Sequence, residues 1–130
     1  MKIVSSDNKF WVELVKVEDE YGYSAFSIYG YADLGHSKFE AKNNDVHLLN
    51  LPEFISKFDR FILDRTLVPK LEGTYDSYLE FKCVGSPVIL TYNIGSAYCG
   101  TTNSEFGFTG SFEVEQEYLN TLLLELQENA

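Results

Sequence analysis

Two cysteines (Cys83 and Cys99), two histidines (His36 and His47) and twenty carboxylates are the residues of this chain that could do covalent, metal or acid–base chemistry. Nucleophilic catalysis needs a Ser or Cys beside a histidine base, and no Gly-x-Ser-x-Gly elbow stands in the sequence. Metal ligands would come as close His/Cys pairs, whereas these four residues stand singly, without ligand spacing. The glycines at 95, 100, 107 and 110 match no phosphate-binding loop and no lysine follows them. An acid and base pair of the glycosidase kind leaves little trace in sequence, but a small domain with two helices and one sheet seldom forms the deep cleft it needs. The expectation is a non-enzymatic protein with no catalytic, cofactor-binding or metal-binding residues.

What the carboxylates do form is a field. The formal net charge is −10, and its sources are segregated. No Lys or Arg follows Lys82, so residues 83–130 set Glu105, Glu113, Glu115, Glu117, Glu125 and Glu128 against nothing positive. A second basic-free stretch, 17–37, holds Glu18, Asp19, Glu20 and Asp33. A field of one sign repels phosphate backbones and anionic lipid and attracts cationic partners. Nucleic acid and membrane are therefore not expected as partners; a basic protein is.

The elements that must carry these residues follow from periodicity. Phe10–Val17 alternates around Phe10, Val12 and Leu14, and Tyr23–Tyr31 sets Phe26 and Ile28 on one face and Tyr23, Tyr29 and Tyr31 on the other. With Lys38–Lys42 after the Asp33-Leu34-Gly35-His36 turn, these predict a three-stranded meander. Between Leu51 and Thr66 the spacing becomes three and four, which predicts a helix with Asn50 as N-cap and Pro52 in its first turn. Tyr78–Cys83 and Val88–Tyr92 predict a hairpin; the segment Ser96–Cys99 reads either as a loop or as a continuation of that strand past a bulge at Gly95. A strand through Phe106, Phe108, Phe112 and Val114 then runs into a terminal helix on Leu119, Leu122, Leu123 and Leu126. The fold class is α+β, expected as a single antiparallel, strongly curved sheet of about six strands with a mid-chain and a C-terminal helix packed on it. Residues 1–130 read as one domain, with 15% aromatic residues for its core.

On these elements the acidic residues take different meanings. Glu113, Glu115 and Glu117 surround the start of the terminal helix, where carboxylates suit exposed N–H groups, so helix stabilisation and partner contact are both open. Glu125 and Glu128 lie at the opposite end with no basic residue at helical spacing, which makes negative surface itself the property they serve. Glu18, Asp19 and Glu20 crowd one turn, either as a solvated loop or, beside Tyr21, Tyr23, Tyr29 and Tyr31, as an acidic and aromatic interface. With Asp33, these are the expected partner-binding residues. The segment Met1–Asp7 lacks the apolar region of an export signal, and no run approaches the roughly 20 apolar residues of a membrane span. Two thiols then read as reduced core residues of a cytoplasmic protein.

The strand-to-helix junction Phe106-Gly107-Phe108-Thr109-Gly110-Ser111-Phe112-Glu113-Val114-Glu115-Gln116-Glu117-Tyr118-Leu119 resembles that of the WapI-like immunity proteins of bacterial toxin systems. The order of elements, with opening strands, a Leu/Phe-rich middle helix and a closing strand and Glu/Leu-rich helix, is similar over nearly the whole chain. The resemblance implies binding and neutralisation of the toxic domain of a cognate polymorphic or contact-dependent toxin, often a nuclease, inside the producing cell. No functional residue carries over with it. A reading of another class is a small carbohydrate- or ligand-binding module that uses the tyrosine face; in either case the chain is expected as a monomer or weak homodimer.

Overall fold

The computed structural model describes the backbone of residues 1–18, 24–99 and 101–128. Strands β1 (Lys2–Val4), β2 (Phe10–Glu18), β3 (Ser24–Asp33) and β4 (Lys38–Val46) precede helix α1 (Leu51–Leu63). Strands β5 (Lys70–Glu72), β6 (Tyr78–Cys83), β7 (Val88–Cys99) and β8 (Asn103–Val114) follow, and a 3-10 turn at Gln116–Tyr118 leads into α2 (Leu119–Glu128). The class is α+β. The single six-stranded sheet is not found: there are two four-stranded antiparallel meanders, ordered β1-β2-β3-β4 and β5-β6-β7-β8. Two causes account for the difference. Strands β1 and β5 are three residues each, too short to show a period of two, and each adds an edge to its half. The passage from β4 to β5 contains α1 and leaves only an isolated bridge, Leu48 to Gly73, where a continuous ladder would have merged the halves.

One core nevertheless joins them. Val12, Leu14, Phe26 and Ile28 from the first sheet and Leu79, Phe81, Leu90 and Tyr92 from the second are buried in one apolar cluster with Phe54, Phe58 and Phe61 of α1 and Leu119, Leu122 and Leu126 of α2. Phe58 meets Phe81 edge-on at 4.9 Å, which ties α1 to the second sheet. The Tyr92 ring occupies the places where side chains at Gly30 and Gly110 would be, so it packs against both sheets at once. From the first sheet, the Asn43 amide donates to the Gly95 carbonyl at 2.7 Å.

Local chemistry explains the element ends. Asn50 makes no side-chain cap bond; its amide donates to the Lys70 carbonyl at 2.9 Å and accepts from the Glu72 N–H at 2.7 Å, fastening α1 to β5 instead. The helix stops at Leu63, short of Thr66, because the Asp64 carboxylate takes the Thr66 hydroxyl at 2.6 Å and its N–H at 3.1 Å, a local turn that competes with helix. Those bonds to Thr66 hold the Asp64 carboxyl below its ordinary range. Strand β7 has no bulge at Gly95, since its ladder with β8 runs unbroken from Val88–Val114 to Cys99–Asn103. Glycine is required there for another reason: a side chain would run into the Tyr75 carbonyl.

Candidate protein-binding surfaces

Alternation along β2 and β3 turns Val12, Leu14, Phe26 and Ile28 inward and Trp11, Tyr29 and Tyr31 outward, as expected of the tyrosine face. Trp11 stands 4.8 Å from Tyr29 and 5.2 Å from Tyr31 between ring centroids, and Lys2 Nζ sits 4.2 Å over the indole. The Tyr29 hydroxyl donates to the Glu40 carboxylate, a bond that pushes the tyrosine pKa up. Beside the rings runs an open groove of about 350 Å³ whose walls include Glu13, Lys42 and Asn44. This face is aromatic but of mixed charge.

The Asp33 carboxylate accepts the Gly35 N–H at 2.9 Å and serves the β3–β4 turn. Glu18 closes β2; Asp19, Glu20, Tyr21 and Tyr23 lie outside the described residues. Glu128 is exposed on the last turn of α2, and the charge of half-buried Glu125 adds to burial in raising the Tyr118 pKa. Leu126, between them, shares a small apolar cavity with Met1, Leu14 and Phe26. The end of α2 therefore lies against the inner face of β2 and β3, on the side of the sheet away from Tyr29 and Tyr31. The thiol of Cys83 is free, as expected, and half-buried at the margin of the core cluster, with its Sγ 3.1 Å from the Gly85 carbonyl. His36 is exposed in its turn, and His47 Nε2 lies 3.2 Å from the Asp45 carboxylate while its backbone bonds Thr74. No group of three His, Cys, Asp or Glu among the described residues is placed to hold a metal.

A second surface was missed by periodicity. Strand β6 pairs with β7 only as far as Tyr78–Asn93, so residues beyond Ile94 of β7 and their partners in β8 project past it as a two-stranded ribbon. The 73–77 connection at the base of that ribbon is closed on itself by Gly73 N–H to the Ser77 carbonyl (2.7 Å) and Ser77 N–H to the Thr74 carbonyl (3.1 Å). At its tip Tyr75 and Asp76 are both left-handed, each with φ of 59°. An L-residue pays roughly 1–2 kcal/mol for that conformation. Asn93 holds it in place, donating to the Asp76 carbonyl at 2.8 Å while its own oxygen accepts the Thr109 hydroxyl at 2.8 Å. The Gly95 N–H adds a bond to Ser77 Oγ at 3.2 Å.

Between this tip and the ribbon lies a recess of about 470 Å³, with Tyr75, Asp76, Asn93, Glu105 and Phe106 in its walls and no lysine or arginine among its lining residues. Both rings are open to solvent, Tyr75 at 45% and Phe106 at 59% exposure. Alternation puts Phe106 in register with the core residues Phe112 and Val114, but the ribbon has by then run past the core. A left-handed Tyr-Asp pair has no sequence signature of the kind glycine supplies. Carboxylates beside open ring faces make a receptor for ammonium and guanidinium groups.

No family model, curated protein or solved structure matches this chain.

Proposed function

We propose that this protein is an immunity protein, which binds a cognate basic toxin domain of nuclease type in the cytoplasm of the producing cell and neutralises it. The observation that carries the reading is the cation-free recess with two carboxylates and two exposed rings, on a chain of net charge −10. Such a surface suits the lysines and arginines with which a nuclease holds phosphate. An interface of roughly 1,600 Å² centred there would be of standard size for a specific complex. Attraction between opposite fields makes association fast and sensitive to salt.

The test is co-expression with the toxic domain encoded beside this chain, followed by stopped-flow association of the purified pair. Growth should be restored, and the association rate should fall about tenfold or more between low and physiological salt. Failure to protect the cell removes the proposal; protection with a salt-independent rate removes its electrostatic part.

A second reading keeps the first sheet as a carbohydrate- or ligand-binding module, on the strength of the groove beside Trp11 and Tyr29. Against it, Lys2 and the two tyrosines already crowd the indole that a sugar would stack on. A thermal shift with glycans, lost in Trp11→Ala, would favour this reading.

A further inference from the structure

Strand β8 is an outer strand of the second sheet, and among the described residues Asn103–Ser111 have no backbone partner on the side away from β7. Near its end, the Ser6 N–H donates to the Glu113 carbonyl at 3.0 Å. That bond shows which backbone groups face outward. Because the ladder to β7 is unbroken, Ser111, Thr109, Gly107 and Glu105, at the same parity as Glu113, present their N–H and C=O groups to the same side.

An edge of this kind is a template for another strand, and edges meant to stay solitary carry lysine, proline or a bulge. The edge strand β4 has two of these devices, with Lys38 and Lys42 in its sequence and an irregular register opposite Phe26 and Ile28. Strand β8 has none of them over twelve residues, NSEFGFTGSFEV. Its outward face instead carries Glu105, which also lines the recess with Asp76 and Tyr75.

We infer that β8 receives an extended segment of the protein partner, bearing lysine or arginine at alternate positions, which pairs with Asn103–Ser111 and lengthens the second sheet by one strand. Main-chain bonds supply affinity in this mode, and alternate side chains supply specificity. The partner's outer-face cations then lie beside Glu105 and the mouth of the recess. A second copy of the chain is the poorer occupant, because it brings another Glu105 and another net charge of −10 to an edge without cations. The inference rests on the immunity reading and specifies how the toxin is held.

The test is amide hydrogen exchange on the full chain alone, with the toxic domain encoded beside it, and with a ten-residue peptide alternating lysine and threonine. Exchange at Glu105, Gly107 and Thr109 should slow at least tenfold with either probe. Gly107→Pro deletes one outward donor without touching the ladder to β7, and should weaken toxin binding about a hundredfold while the melting midpoint stays within a few degrees. If the proline variant fails to fold, the exchange protection of the parent chain's outward amides decides the inference. Tight toxin binding that leaves these amides unprotected overturns the inference and spares the immunity reading. Protection by the peptide but no toxin complex does the reverse. No protection by either probe, or protection that grows with protein concentration alone, overturns the inference.

Discussion

Strands β4 and β8 hold the same place in two meanders of the same topology, yet they are finished differently. Strand β4 carries Lys38, Lys42 and a break in register, while β8 keeps an unbroken register and is free of lysine and proline. The outer faces differ in the same sense. On the first sheet the rings of Trp11, Tyr29 and Tyr31 are occupied by one another, by Lys2 and by Glu40. On the second, Tyr75 and Phe106 stand open beside Asp76 and Glu105. Local satisfaction on one side and open rings and carboxylates on the other are why the proposed partner is assigned to the second sheet.

Two such different sheets share one core, and Phe58→Ala is the strongest test that they unfold as one cooperative unit. Truncating this fully buried ring should cost about 3–5 kcal/mol. Since Phe58 packs on Phe81 of the second sheet, Trp11 fluorescence on the first should lose its transition at the same lowered midpoint as the far-UV signal. Two separated transitions would mean that the sheets unfold independently.

The electrostatic contrast is sharpened by charge removal on each side. Asp76→Asn with Glu105→Gln should weaken toxin binding about tenfold or more, roughly 1.4 kcal/mol. Glu13→Gln with Glu40→Gln, on the first sheet, should leave affinity unchanged in the same titration; equal losses would erase the distinction.

Backbone strain provides a smaller measure. Tyr75→Gly relieves a left-handed residue and should raise unfolding stability by about 1 kcal/mol in a urea titration. It should also lower affinity, because an exposed ring of the recess is gone. A variant that is more stable and binds equally well would show that the tip serves no partner.

The smallest effect belongs to the β1–β2 turn. Ser5 chiefly, then the Lys9 backbone, hold the exposed Asp7 carboxyl below its ordinary 3.8 by hydrogen bonding to the charged form. The sign follows: its contribution is fully present above pH 3.8 and fades as pH falls through the lowered value. Asp7→Asn should therefore match the parent most closely in strong acid and fall behind it toward neutrality, in thermal melts across that range.

Much of the secondary structure was legible because it rests on local repetition. The strand Tyr78–Cys83 and the start of α1 at Leu51 fall where periodicity places them, and Tyr29 and Tyr31 share the outward face that alternation assigns. Lys2–Val4 and Lys70–Glu72 escaped because three residues carry no period. Asn50 stands at the N-cap of α1 as read, but its side-chain amide bonds the backbone of β5, twenty residues away in sequence, and not its own helix. The tyrosine face was legible as a face, but its rings are closed off by Lys2 and Glu40, which only pairing of β1 with β2 and of β3 with β4 brings alongside.

By itself the sequence determined the α+β class, the inward and outward faces of β2, β3 and β8, and a field with no positive charge after Lys82. These depend on residue type and on spacing within one element. Tertiary structure decided that the strands divide into two sheets, that Asn103–Ser111 of β8 have no outer backbone partner among the described residues, and that Tyr75 and Asp76 meet Glu105 and Phe106 across a recess. Those depend on which edges close and on how far a ribbon outruns the core, and both are set by contacts between residues far apart in the chain.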